Sequence, residues 1–264
     1  MNFQVELAKI IYVMIRIPLR VMGKKKRDDF LIRHNIKMSS FFLSKEIIVT
    51  KNGKKSFVRR GYDDYGIWVD DDREPSLSPY FNIGKDEIFI DVGANIGKYT
   101  IDMSYQNPKN QIISIEAHPL TYNILKRNIK LNNLKNIILF NKAVYSEKKN
   151  LTLATKNGWS SLSSLITEIR DDFNNSITVE AETLDNLISH IDDKIGLIKV
   201  DIEGAELDCL YGSKNTLQKC NKIIIEIHNK NLIPKISDIL SMNGFEIKLL
   251  NNQEFVIGIK TKEE

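Results

Sequence analysis

Short apolar runs alternate with amphipathic stretches along the chain from Asp86 onward. Apolar runs of strand length bounded by turn residues predict buried strands, and the stretches between them carry the helical period. Strands that alternate with helices pair in parallel, so the pattern predicts an α/β fold with a mostly parallel sheet. The predicted strands are 87–92, 111–116, 137–140, 177–181, 197–201 and 222–227. The predicted helices are 98–105, 120–132, 184–190, 205–211 and 233–242, and the rest of 141–176 is predicted to be irregular.

Two hairpin signals flank this sheet. Asn52-Gly53 lies between the β-type runs 46–50 and 56–60, and Asn251-Asn252 separates two further runs near the C-terminus. Such pairs favour the left-handed backbone that tight hairpin turns need. We therefore expect a small β cap before the sheet, a connector rich in Pro and Ser over 75–79, and an antiparallel pair that closes the sheet.

The N-terminal segment 1–27 predicts a helix with one narrow polar stripe. Its apolar part is interrupted by Arg16 and Pro18, so it falls short of the ~18 apolar residues of a membrane span. No small-residue cleavage site follows it. Two interpretations stay open: the helix docks on the catalytic domain or on a second subunit, or it lies in a membrane surface with its basic end near anionic lipid. We assign residues 1–80 to this helix and the β cap.

The composition indicates a folded, mildly basic chain. With 264 residues, of which 42% are hydrophobic and 27% charged, it can bury one sizeable core, and we expect one catalytic domain over 81–264. The formal net charge is +4, but the lysines are scattered, which disfavours a nucleic-acid partner. Cys209 and Cys220 have neither CxxC nor metal-ligand spacing. A disulfide framework or zinc site is therefore not expected, and a cytoplasmic location is the default.

A glycine loop follows the strand 87–92 and opens the next helix. It reads Asp91-Val92-Gly93-Ala94-Asn95-Ile96-Gly97. Glycines let the chain turn sharply and let a ligand approach the backbone, and the helix N-terminus offers unpaired N–H groups. Dinucleotide-binding enzymes have a glycine where this chain has Asn95, because the pyrophosphate needs the room. Asp91, Gly93, Asn95 and Gly97 therefore predict a site for a cofactor without pyrophosphate, such as S-adenosylmethionine (SAM). A purely structural turn is the alternative.

Glu116 ends the next predicted strand of the sheet. An acidic side chain at this edge can accept hydrogen bonds from both ribose hydroxyls of a nucleotide-type cofactor. The alternative is a solvated carboxylate at the end of a strand. The loop and the acid together favour cofactor binding more strongly than either does alone.

With these motifs the chain resembles the FkbM family of O-methyltransferases over about 86–229. The resemblance implies a class I SAM-methyltransferase fold, a Rossmann-like sheet with the antiparallel C-terminal hairpin. It also implies transfer of the SAM methyl group to an oxygen of a small-molecule, carbohydrate or lipid-linked acceptor. The matching segments are 91–97, Glu116-Ala117-His118-Pro119, Leu131-Asn132-Asn133 with Asn141-Lys142-Ala143-Val144, Thr183-Leu184-Asp185, 199–206 and Ile225-Glu226-Ile227-His228.

Polar residues at the ends of two later strands are the candidates for catalysis. Ligands of a doubly wound sheet bind beyond the carboxyl ends of its strands, which places Asp201 and Glu203 near the methyl donor and the acceptor. Glu226 and His228 flank Ile227 and so point to one side of their strand, where a carboxylate can orient an imidazole that takes a proton. The alternatives are Asp201 as a helix N-cap and His228 as a structural residue.

We expect Glu203 and His228 to orient the acceptor and remove its proton, and Ala143 to give a backbone contact to the adenine. Asp201 and Glu226 complete a set of hard ligands that also suits a metal ion, but hydrogen-bonding acids are commoner and we predict no metal. Glu206 is expected only to complement a helix dipole.

Two other classes of function stay open. An NAD-dependent oxidoreductase can use a similar sheet, although Asn95 counts against it. A non-catalytic, membrane-associated scaffold is the other, although the glycine and acidic positions are intact. The expected partners are the acceptor and no nucleic acid, with peripheral membrane contact through 1–27 and a homodimer left open.

Overall fold

A computed structural model describes residues 46–59, 62–69, 75–155, 163–165 and 175–261. The strands are β1 (Glu46–Lys51), β2 (Lys54–Arg59), β3 (Glu87–Val92), β4 (Ile112–Ile115), β5 (Ile137–Phe140), β6 (Ala143–Val144), β7 (Lys149–Thr155), β8 (Ser163–Leu165), β9 (Asn175–Glu182), β10 (Lys194–Val200), β11 (Lys222–Glu226), β12 (Phe245–Leu250) and β13 (Phe255–Lys260). The α-helices are α1 (Asp64–Val69), α2 (Lys98–Gln106), α3 (Pro119–Leu131), α4 (Leu184–Leu187), α5 (Glu206–Tyr211), α6 (Lys214–Lys219) and α7 (Ile233–Met242).

The main sheet has seven strands in the order β12-β13-β11-β10-β3-β4-β5. The five strands from β11 to β5 are parallel, and β13 pairs antiparallel with both β11 and β12. Helices cover both faces, so the central strands are apolar on both sides, and Phe89, Ile90, Ile113 and Leu197 are fully buried. The predicted class I methyltransferase fold, with its antiparallel C-terminal pair, is confirmed.

A second sheet of four strands, in the order β6-β9-β7-β8, corrects part of the prediction. It contains the predicted strand 177–181, which does not join the main sheet, and β7, which lies within the stretch predicted to be irregular. In β9 the apolar Val179 and Ala181 are buried while Thr178 and Glu180 are exposed. This alternation is typical of an antiparallel sheet with one solvated face.

Smaller differences concern helices. The helix α6 was not predicted, α4 ends at Leu187, and the connector is a 3-10 helix over Pro75–Tyr80. Within the described ranges, none of the helices is long and apolar enough to cross a membrane. The predicted helix 1–27 lies outside the described residues.

The predicted N-terminal hairpin is present and docks on α3. Its turn residues Asn52 and Gly53 have φ of 49° and 78°. The Asn132 amide accepts from the Lys55 N–H at 2.8 Å and donates to the Lys55 carbonyl at 2.6 Å. The Asn128 Oδ1 accepts from the Phe57 N–H at 2.6 Å. Two amide side chains thus bind the β2 backbone as a neighbouring strand would.

Candidate active site

The glycine loop turns sharply between β3 and α2 and needs glycine for two different reasons. Gly93 has φ of 80°, and a Cβ there would lie 1.8 Å from the Asp201 carbonyl oxygen. Gly97 has φ of 95°, and its Cβ would lie 2.6 Å from Leu125 Cδ1. Asn95 has φ of 51°, in the left-handed region that Asn tolerates better than most residues. The first glycine therefore brings two loops together, and the second packs α2 against α3.

Glu116 follows β4 and closes over the loop. Its Oε2 accepts from the Asn95 N–H at 2.9 Å, and its Oε1 accepts from the His118 N–H at 2.8 Å. The residue is 8% exposed, and burial raises the pKa of its carboxyl to about 7, although both hydrogen bonds and the Arg59 charge oppose the rise. Each carboxylate oxygen keeps a second acceptor site for a ligand hydroxyl.

A cleft that is open to solvent lies beside this loop. Six of the predicted site residues line it: Gly93, Asn95, Glu116, Ala143, Asp201 and Glu203. The structure therefore brings most of the predicted cofactor contacts to one place. Their role in binding the cofactor stays a prediction.

Asp91 and Gly97 do not line the cleft, and their predicted part in the cofactor site stays a prediction. Asp91 is completely buried, accepts from Thr100 Oγ1 at 2.7 Å, and lies 3.8 Å from Lys199 Nζ. Burial also raises the pKa of its carboxyl. Asp91 thus supports the loop from beneath. Its position at the end of an apolar strand is equally compatible with this role and with contact to a ligand.

The predicted catalytic residues converge on the imidazole of His228. Its Nε2 lies 3.2 Å from Glu203 Oε2, 3.9 Å from Asp201 Oδ1 and 4.0 Å from Glu226 Oε1. Glu203 reaches this point because its backbone is left-handed, with φ of 52°, and Gly204 follows with φ of 114°. The carboxyl ends of β10 and β11 therefore form one acidic cluster around a histidine.

The carboxylate that bonds to His228 Nδ1 is that of Glu206, whereas Glu226 Oε1 lies 4.0 Å from Nε2, and the predicted role of Glu226 stays a prediction. Glu206 Oε1 lies 2.8 Å from His228 Nδ1 and accepts the Gly204 N–H at 2.8 Å, with the side chain 1% exposed. Glu226 is only at the edge of the cluster. From the sequence, Glu206 is expected only to complement the dipole of its helix. The sequence did not indicate that this acid, the first residue of α5, is buried against His228.

The charges of the cluster determine its protonation. Burial alone lowers the pKa of His228, but its hydrogen bonds to Glu203 and Glu206 outweigh that and raise it to about 11. Burial raises the pKa of Glu203, against the opposing effect of His228. At neutral pH the raised pKa therefore keeps the imidazole of His228 protonated.

Asp201 has a place of its own in this cluster. Its Oδ2 accepts from Lys199 Nζ at 3.1 Å, and the N-cap of α5 is Ala205, so the alternative of Asp201 as an N-cap is wrong. Ligand atoms of Asp201, Glu203 and His228 all lie within 4.8 Å of one another, a spacing that a cation can also occupy. The absence of a metal stays a prediction.

Comparison with known proteins fits this geometry. Residues 91–247 match the Methyltransferase FkbM domain. Methyltransferase 1 of Beauveria bassiana is 24% identical over 210 residues, which cover 70% of this chain and 72% of that protein. Hexuronic acid methyltransferase AglP of Haloferax volcanii is 26% identical over 182 residues, covering 66% and 71%. Among solved structures, M. jannaschii TYW2 in complex with AdoMet has a TM-score of 0.43 and 14% identity, covering 83% of this chain and 86% of that one.

The family match spans more than half of the chain and includes the glycine loop, Glu116, the acidic cluster and β11. This match favours a methyltransferase over the oxidoreductase and scaffold alternatives, because the matched family is one of methyltransferases. The protein belongs to the FkbM methyltransferase family and is an enzyme whose cofactor is SAM.

Proposed function

We propose that the protein is an O-methyltransferase that moves the SAM methyl group to a hydroxyl of a small-molecule, carbohydrate or lipid-linked acceptor. The observation that carries the proposal is a single cleft with Gly93 and Glu116 on its wall and Asp201 and Glu203 beside them. The first pair suits the cofactor. The second pair offers hydrogen-bond acceptors, which a hydroxyl needs for its alignment with the methyl donor.

Methylation of a hydroxyl also releases a proton. The O–H bond of the acceptor breaks, its oxygen bonds to the methyl carbon, and the bond from that carbon to sulfur breaks to leave S-adenosylhomocysteine. Glu203 lines the cleft and lies 3.2 Å from His228 Nε2. The raised pKa of His228 keeps it cationic at neutral pH, so it cannot accept a further proton. We therefore assign removal of the acceptor's proton to Glu203, and we assign to His228 the role of orienting Glu203.

We take hexuronic acids and their glycosides as the first acceptor class to test. One relative bears the name hexuronic acid methyltransferase. The cleft also combines the carboxylates of Asp201 and Glu203 with the cation of Lys142, which is paired with Glu180. Carboxylates accept from sugar hydroxyls, and an ammonium group attracts a sugar carboxylate.

The test incubates the full chain with SAM labelled in its methyl group and a panel of uronic acids, neutral sugars and lipid-linked glycans. We expect label in a sugar product that survives mild alkali, because a methyl ether is stable to alkali whereas a methyl ester releases methanol. Label that is lost in alkali would contradict methylation of a hydroxyl.

Two matched variants locate the chemistry. Glu203→Gln keeps the shape and removes the basicity, so labelled product should fall while SAM affinity is retained. Glu246→Gln removes a carboxylate from the exposed side of β12 and should leave both unchanged. Equal loss in both variants would argue against the acidic cluster as the catalytic site.

A further inference from the structure

Arg59, which lies outside the matched family domain, reaches the cofactor side of the molecule from β2. Its Nε donates to Asp64 Oδ2 at 2.9 Å and its Nη2 to Asp64 Oδ1 at 3.0 Å. Its Nη2 also lies 3.4 Å from Thr121 Oγ1. The Arg59 side chain is 10% exposed and that of Asp64 0%. A two-bonded, buried ion pair thus fixes this guanidinium beside the first turn of α3.

Glu116 lies at the same end of α3. Its Oε1 accepts from the N–H of His118, which is the N-cap residue of the helix, and Thr121 belongs to the first turn. A cation near a helix N-terminus is unfavourable, because the helix dipole is positive there. A nearby buried anion that is attracted by the same cation offsets this cost, and the Arg59 charge favours the ionised form of Glu116.

We propose that Arg59 is a positioning residue of the cofactor site. Its fixed positive charge at the N-terminal end of α3 favours the Glu116 carboxylate as acceptor of the ribose hydroxyls of SAM. The inference rests on the ribose role proposed for Glu116. It gives the N-terminal hairpin a part in cofactor binding, although every sequence motif for the cofactor lies after Asp86.

The other charged groups around Glu116 leave this role to Arg59. Asp201, across the cleft, raises the pKa of Glu116, whereas Arg59 lowers it. Burial first, and then Arg59, lowers the pKa of His118, which favours its neutral form; its Nδ1 accepts from the Leu120 N–H. Lys142 also lines the cleft and is bonded to Glu180.

The test measures SAM affinity of the full chain by calorimetry from about pH 6 to pH 9. In the wild type we expect affinity to rise with pH and to level off above the pKa of Glu116, near 7. Arg59→Gln should move this midpoint upward by about half to one pKa unit, which makes SAM binding about three- to tenfold weaker below the midpoint. Near pH 9 the two profiles should converge.

Three controls separate charge from structure. Arg59→Lys keeps the charge and should restore a profile close to the wild type. Lys126→Gln removes an exposed cation from the middle of α3 and should change nothing. In a Glu116→Gln background, Arg59→Gln should cause no further pH-dependent change, because the group on which it acts is gone.

The Arg59→Gln variant leaves Asp64 buried without its ion-pair partner, so Arg59→Gln/Asp64→Asn is made alongside it. The double variant should show the same upward shift.

A loss of affinity that is equal at all pH values, or a wild-type profile without pH dependence, would overturn the proposal. If Glu116→Gln keeps wild-type SAM affinity and pH dependence, the ribose role fails. If only the Arg59 variants show no shift, the inference alone fails. Since no acceptor is present, neither outcome bears on O-methylation.

Discussion

At the scale of one residue, Glu116 ties the stability of the ligand-free protein to pH. Its pKa is raised from 4.5 to about 7 in the folded state, which corresponds to about 3 kcal/mol. A carboxyl with a raised pKa contributes stability below its unfolded pKa, and this contribution is lost as pH rises toward 7. We expect the unfolding free energy of the wild type to fall relative to that of Glu116→Gln between pH 4.5 and pH 7, as urea titrations can measure. A constant difference across this window would contradict the buried, proton-binding carboxyl.

The proposed roles of Glu203 and His228 predict different effects of substitution and of pH on the rate of methyl transfer. Glu203→Gln should lower turnover by about 10²- to 10⁴-fold, the usual loss for a general base. His228 has a pKa of about 11, so the rate should show no rise that is due to His228 near pH 6.5. His228→Gln removes the group that orients Glu203 and should lower turnover without weakening SAM binding. If the rate rises with pH around 6.5 and this rise disappears in His228→Gln, then His228, and not Glu203, is the general base.

At the scale of secondary structure, the contact between β2 and α3 supports the glycine loop. Asn128 Nδ2 donates to the Ile96 carbonyl at 2.8 Å while its Oδ1 accepts from Phe57, so one amide joins the hairpin, the helix and the loop. Asn128→Ala leaves buried polar groups unpaired and should lower the unfolding free energy by roughly 1–3 kcal/mol. It should also weaken SAM binding. Asn123→Ala, exposed on the same helix, is the matched control and should do neither.

At the scale of the whole molecule, removal of residues 1–27 should leave SAM binding intact, because the described cofactor-side contacts begin in the hairpin. SAM and S-adenosylhomocysteine should then raise the melting temperature of both forms equally, since a ligand bound only to the folded state adds roughly 2.7 kcal/mol at 100 times its dissociation constant. If 1–27 contacts membranes, only the full chain should sediment with anionic vesicles. Equal sedimentation of both forms leaves docking or dimerisation, which light scattering can separate.

Sequence patterns predicted what depends on local order and missed what depends on packing. The strand β3 and the helix α7 have the predicted bounds, because their apolar periods are unbroken. The strand β7 was missed because its first half is exposed and only Leu153 to Thr155 are buried. The role of Glu206 was wrongly predicted because its partner His228 follows β11, more than 20 residues later, and the spacing along the chain does not indicate that contact.

The hairpin contacts of Asn128 and Arg59 have a consequence for exchange of backbone hydrogens. If hairpin docking favours SAM binding, linkage requires SAM to favour the docked hairpin by the same factor. The N–H groups of Lys55 and Phe57, which donate to Asn132 and Asn128, report directly on that docking. Their deuterium uptake should slow in the presence of SAM, whereas the exposed turn at Asn52 and Gly53 should keep its rate. Binding of the cofactor would then stabilise the docked state of the N-terminal hairpin, which precedes the family domain.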